Sequence, residues 1–463
     1  MKQLQDRRNI TLFALTWPIF IEMFLHILMG NADTLMLSQY SDESVAAVGL
    51  ANQILGTAIM MFGFIVTGTS VLVAQSLGAN DRPQADKIAS VSITMNIIFG
   101  LLISVALFVF GKQFLIALNV PANLMDEALI YLRITGGLSF IQALIMTISA
   151  IIRAHSFTRQ AMYVTMGMNV LNIIGNYLLI FGPFGLPVLG VVGVAISTVV
   201  ARAVGLIIMF ILLYRVVGHP RALWHYIRMP IQHVKDVLRI GIPSAGEHLT
   251  YNVSQLLITY FITLIGAEAV TARIYTWNIM FVIMIFSASI GQGTQILVSY
   301  KVGEGQNELA YKTAMRSLRV GMLLALLIAT TVYLNGERLI GLFTDNPGII
   351  EVCVSLLLLT IILEPGRSFN LILISSLRAA GDVRFPVYMA ILSMLGIAVT
   401  LSYVLGIHFG YGLAGIWIAF IADEWLRGLL MLWRWRSRSW ERMRFIQPKK
   451  QTGSDESTAS ASG

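Results

Sequence analysis

The chain has 463 residues, of which 56% are hydrophobic and only 12% charged, with a net charge of +8 and a mean hydropathy of +0.75. A soluble globule of this length needs far more charge to cover its surface, and apolar runs of about twenty residues or more recur along the whole chain, so the composition excludes a soluble protein and indicates a polytopic membrane protein. The single cysteine, Cys353, lies in an apolar run; it excludes an intrachain disulfide and reads as an inert buried thiol.

Polar breaks between apolar runs predict an all-α membrane protein of twelve spans: residues 11–38, 46–76, 88–110, 124–151, 160–182, 189–214, 238–265, 270–300, 311–334, 348–377, 384–407 and 411–433. The basic start "MKQLQDRRNITLFALTW" leads straight into the first of them and reads as an uncleaved helix. Alternate loops and both ends hold 25 Lys and Arg, the opposite loops hold Lys112 and Arg338, and Arg133, Arg202, Arg273, Arg367 and Arg427 lie within spans. By the positive-inside rule both termini are cytoplasmic, in a cell (inner, cytoplasmic) membrane. The same distribution explains the basic balance without a nucleic-acid partner. The "WLRGLLMLWRWRSRSW" end (425–440) reads as an interfacial anchor, and the polar stretch after it as disordered.

The chain contains itself twice. Residues 15–92 laid over 240–317 without a gap match at 17 of 78 positions, among them Pro18/Pro243, Glu22/Glu247, Glu43/Glu268, Gly78/Gly303 and Lys87/Lys312. The same offset pairs Arg153 with Arg378 and Arg159 with Arg384, and a three-residue adjustment pairs 188–197 with 410–419. Two six-helix repeats that enter the membrane in the same direction are parallel, and parallel repeats around a central cavity are a transporter signature. The expected domains are an N-lobe over 1–214, a cytoplasmic linker over 215–237, a C-lobe over 238–440 and a disordered tail over 441–463.

Ionisable and polar groups inside spans mark function by default. Asp33 sits about three-quarters along the first span, and its repeat partner is Ile258, so the shared scaffold does not require it. A carboxylate without a fixed cation has its charged form penalised by burial; it is poised to take a proton or to hold Na⁺. Asn172 and Asn176 share a helical face, with Asn169 beside them, and can join such a site or hold helices together. Glu22 and Glu247 each follow a proline by four residues. They read either as helix-start carboxylates that suit the dipole or as groups facing a substrate. His26, one turn after Glu22, reads as a packing histidine that could share its proton. Glu364 and Arg367 flank Pro365-Gly366 and read as an internally neutralised pair at a distorted helix. Glu43 and Glu268 read as carboxylates of outer turns. Met60, Met61, Phe62 and Phe286 are candidates to line an adaptable cavity. There is no HExxH, Walker loop or Cys/His cluster. The expected protein is therefore not an enzyme, needs no cofactor, and draws on an ion gradient.

"PIFIEMFLHILMGNADTLMLS", "VLVAQSLGAN", "NIIGNYLLIFGPFGLPVLGVVGVAIST" and "LRAAGDVRFP" together resemble the multidrug and toxic compound extrusion family over residues 11–440. The resemblance implies twelve helices in two lobes, with organic cations and amphipathic drugs exported in exchange for H⁺ or Na⁺. It places Asp33 at the family's first-helix aspartate, and Asn172 and Asn176 at the fifth-helix polar pair. Ser197 or Thr198 falls where a hydroxyl contributes. Some members carry Asp where Asn176 stands, and others carry a C-lobe glutamate where Tyr251 stands. The candidate substrate-cavity residues are Tyr251, the duplicated acids Glu22 and Glu247, and Met61. The expected partners are small organic cations and membrane lipids, with the chain a monomer. The alternative reading is a lipid-linked oligosaccharide flippase of the same two-lobe fold, but such proteins commonly carry more helices and several basic residues lining the cavity.

Overall fold

The computed structural model describes residues 11–217 and 231–446. Among them every regular element is helical. The N-lobe holds α1 (Leu12–Ser38), α2 (Asp42–Gly78), α3 (Arg82–Ala117), α4 (Ala122–Tyr131 continued by Ser139–Ala154), α5 (Thr158–Phe181) and α6 (Gly190–Val217). The C-lobe repeats the order with α7 (Ile231–Ile265), α8 (Ala267–Gly303), α9 (Asn307–Leu334), α10 (Pro347–Ala380), α11 (Arg384–His408) and α12 (Gly412–Arg436).

All twelve expected spans are present, and most are longer than hydropathy indicated. Polar first and last turns are cut off by an apolar window but still form helix when they are capped. Ser41 caps α2 by accepting from the Ser44 amide at 3.3 Å, with Asp42 and Glu43 in the first turn where the helix dipole favours them. Asp81 caps α3 in the same way. α7 begins at 231, within the stretch expected to be linker; residues 218–230 lie outside the described part. Among the described residues nine helices are long and apolar enough to cross a membrane. α4 joins them as a pair bent by 43°, where a π-turn at Leu132–Gly136 interrupts the regular hydrogen bonding. α7 and α12 carry most of the remaining intramembrane charge, including Glu247 and the run Asp423, Glu424, Arg427.

The lobes meet through α1 and α2 on one side and α7 and α8 on the other. The closest crossing is of α2 with α8. A Cβ on Gly78 would strike the Tyr300 backbone, and one on Gly303 would strike the backbone at Gln75. These two glycines are repeat partners, so one small-residue crossing serves both lobes. Around it Gln75 Nε2 donates to the Ala379 carbonyl at 2.7 Å, and Phe20 packs edge-on against Phe286 at 5.5 Å. These contacts lie in the halves of the helices nearest the chain termini. On the opposite halves Asn52, Gln53, Gly56 and Thr57 of α2 are exposed. The space between the lobes therefore opens on the face away from the termini.

Three expectations need correction. Trp435 and Trp440 are fully buried and stack at 4.3 Å, with Trp440 Nε1 donating to the Trp435 carbonyl at 2.9 Å. The end of α12 is thus a packed cap, and only Trp433 has the exposure of an interfacial anchor. Residues 441–446 also pack in place. Phe445 and Ile446 lie against the N-lobe core, and Arg239 sits 5.5 Å over the Phe445 ring. The rest of the expected disordered tail lies outside the described residues. Phe62 is fully buried, edge-on to the Phe99 ring, and packs as a core residue. Cys353 is buried, as expected.

Candidate functional site

Three helices build the polar centre of the N-lobe. α1 contributes Asp33, α5 contributes Asn172 and Asn176, and α6 contributes Ser197 and Thr198. Asn176 Nδ2 donates to Asp33 Oδ1 at 2.5 Å. Asn172 Nδ2 donates to Thr198 Oγ1 at 3.2 Å, and Ser197 Oγ donates to the Asn172 carbonyl at 2.8 Å. Asp33, both asparagines and Thr198 are buried. The sequence-derived set is thus brought to one place. Its third amide, Asn169, instead donates to the Thr165 carbonyl of its own helix.

The side-chain oxygens of Asn172 and Asn176 have no donor partner, although both are buried. Buried acceptors left open carry a desolvation cost. A protonated Asp33, a water or a monovalent cation is the kind of partner that removes it. Asp33 is not isolated from cationic charge. Arg202, one turn beyond Thr198 on α6, makes no hydrogen bond or ion pair among the described residues, and its charge acts on Asp33, His26 and Tyr131. The reading of Asp33 as a carboxylate without a fixed cation nearby is therefore corrected. From sequence Arg202 was only one of five intramembrane arginines, with no spacing to tie it to α1.

Glu22 and Glu247 have partners that the sequence contained but did not connect. Arg153 donates to Glu22 Oε1 at 2.7 Å, and Ser149 donates to the same oxygen at 2.7 Å. In the other lobe Arg378 pairs with Glu247. Each acid of α1 or α7 is thus held by an arginine of α4 or α10, inside its own lobe. The helix-start reading also fails. Pro18 and Pro243 lie well inside α1 and α7, so neither acid is in a first turn. As substrate-facing groups Glu22 and Glu247 are already neutralised.

The C-lobe holds a second charged cluster that sequence reasoning largely missed. Arg367 bonds Glu364 at 2.5 Å and lies 3.6 Å from Glu424. Arg427 reaches Asp423 at 2.6 Å and Glu424 at 3.1 Å, while Asn370 and Ser393 donate to Glu424 and Asp423. All five charged groups are buried, with three carboxylates against two guanidiniums. The expected pair of Glu364 and Arg367 exists, but as one edge of a network between α10 and α12. α10 runs unbroken through Pro365, and Trp425 Nε1 donates to the Ile362 carbonyl beside it at 2.9 Å. The cluster borders a cleft also lined by Tyr251, Ser254, Gln255 and Trp277. Tyr251, a candidate cavity residue, does line open space; Met61 is only partly buried near the lobe interface.

The comparisons agree with this architecture. The MatE family model matches residues 18–178 and 243–404, once in each lobe. The uncharacterized transporter YisQ of Bacillus subtilis (strain 168) is 52% identical over 433 residues, covering 94% of this chain and 95% of its own. The probable multidrug resistance protein NorM of Thermotoga maritima is 28% identical and covers 93% of each chain. Among solved structures, a crystal structure of MATE in the bent conformation superposes with a TM-score of 0.87 at 20% identity, over 95% of this chain and 97% of that one. An outward-facing MATE family transporter of the MOP superfamily gives 0.83 at 21% identity, over 92% and 95%. The chain belongs to the MatE family, the multidrug and toxic compound extrusion transporters.

Proposed function

We propose that the protein is a secondary antiporter that exports amphipathic organic cations in exchange for H⁺ by alternating access of the cavity between its lobes. The observation that carries the reading is the hydrogen bond from Asn176 to Asp33 in a buried centre whose other donors and acceptors are neutral. One carboxylate with Arg202 nearby offers little negative charge to strip Na⁺ of its water, but it suffices to bind one proton. The extra carboxylate of the C-lobe cluster, together with the rings of Tyr251 and Trp277 on the same cleft, suits a substrate cation with aromatic or apolar body. The relatives named as multidrug resistance proteins support the same substrate class. With the termini cytoplasmic, the lobes as they stand are open to the outside.

Proteoliposomes loaded with a fluorescent organic cation test this. An imposed pH gradient at constant Na⁺ should drive uphill transport. Transport driven by a Na⁺ gradient at constant pH, with no response to pH, would overturn H⁺ coupling.

A further inference from the structure

Glu22, His26, Met29 and Asp33 follow one another on α1 at spacings of four, three and four, so they share one face of the helix. Glu22, Met29 and Asp33 are buried on that face. His26 differs: it is exposed, although its neighbours on that face are buried. It therefore faces open space, and the packing role expected from sequence is corrected. At about 1.5 Å rise per residue, the ring stands about 6 Å along the axis from the level of Glu22 and about 10 Å from that of Asp33.

We propose that His26 is the proton relay of the N-lobe, taking the proton that Asp33 binds and passing it to Glu22 on the side of the chain termini. The inference rests on H⁺ coupling at Asp33 as argued above. Asp33 and Glu22 are eleven positions apart on α1, about 16 Å along the axis, too far for direct transfer. His26 is the titratable side chain of α1 between them. The charged groups that act on it are Glu22 from α1, Arg153 from α4 and Arg202 from α6. The elements that pack on α1 add none at this depth. α5 presents amides, α2 has no ionisable residue after Glu43, and α8 sets Ser289 and Gln292 against Met23.

The acceptor end is also open. Glu22 Oε1 is occupied by Arg153 and Ser149, while Glu22 Oε2 is buried with no hydrogen-bond partner. In the first step the carboxyl of Asp33 gives its proton through water to the imidazole, leaving a carboxylate and an imidazolium. In the second the imidazolium N–H gives it to Glu22 Oε2, restoring neutral imidazole. One proton moves and nothing else is consumed. The C-lobe has Tyr251 at the repeat-equivalent position and Ile258 opposite Asp33, so the relay belongs to one lobe.

The test uses the full-length protein in proteoliposomes with a fluorescent organic cation. It compares pH-gradient-driven transport with substrate-for-substrate exchange at equal pH. His26→Gln should lower driven transport about tenfold or more and leave exchange within about twofold. His26→Ala should behave likewise, and added imidazole should restore its driven transport, because the ring's site is open. Driven transport at the wild-type rate in both variants would overturn the relay, as would an equal loss of driven transport and exchange at normal abundance without imidazole rescue. A wild-type protein that ignores the pH gradient would overturn the coupling reading itself, an outcome visible before any variant is made.

Discussion

Arg153 donates to Glu22 across 131 positions of sequence, and Arg378 meets Glu247 across the same 131. The two pairs are the repeat made visible in chemistry. Each ties the first helix of a lobe to the fourth. Breaking one partner of such a buried pair strands a charge, at a cost of about 3–5 kcal/mol. Glu22→Gln and Arg153→Gln should each lower the thermal midpoint in detergent more than the double variant does. A double-mutant cycle showing no coupling would remove the pair from the account.

Asp33 should be indispensable for coupling and dispensable for folding. Asp33→Asn keeps the shape of the side chain and removes the change of charge. A neutral amide is cheaper in the membrane than a carboxylate, so expression should survive. Driven efflux should fall to near background. Glu43→Gln, at the capped start of α2, should transport at nearly the wild-type rate and serves as control. Normal uphill efflux by Asp33→Asn would remove Asp33 from the mechanism.

Asn176→Asp places a second carboxylate 2.5 Å from the first at the present hydrogen-bond distance. Like-charge repulsion then keeps a shared proton on the pair to higher pH. The pH at which driven transport is half-maximal should rise, and a dependence on Na⁺ should emerge as the pair gains charge. An unchanged pH profile would show that Asn176 does not share the site.

In the C-lobe, Arg427→Leu leaves Asp423 and Glu424 buried with reduced compensation, while Asn370 and Ser393 keep their bonds to them. Stability should fall by about 3–5 kcal/mol. Arg427→Leu combined with Asp423→Asn should recover part of that loss, because it removes one of the stranded charges. The thermal midpoints of the two proteins, measured side by side, decide the point.

Topology is tested with Cys353 replaced. Cysteines introduced in the 218–230 stretch should resist an impermeant thiol reagent added to intact cells, while one at Lys112 or Arg338 should react. Labelling of the 218–230 stretch from outside would invert the orientation proposed here.

The sequence by itself determined the class, the twelve helices, the duplication and the membership of the N-lobe polar cluster. Apolar length, the bias of Lys and Arg, and identities such as Gly78/Gly303 are local or periodic properties, and they survive without coordinates. Asp33, Asn172, Asn176 and Thr198 were legible because a costly polar group inside an apolar run is conspicuous wherever the helix packs. What only the tertiary structure decided is which of these groups meet. Glu22 and Arg153 were both in view as repeated residues, but 131 positions separate them and no helical spacing joins α1 to α4. Nothing local in the sequence ties Arg367 to Glu424 on another helix; the packing of α10 on α12 brings them together. Trp435 and Trp440 looked like interfacial anchors because their composition suits one, and their stacking in the core depends on a chain reversal after α12. His26 has the spacing of a packing residue, and only the arrangement of the helices around α1 leaves it exposed. A helix periodicity says which side chains share a face; the energy of a buried charge is set by what the neighbouring helix places opposite, and that is a property of the packing.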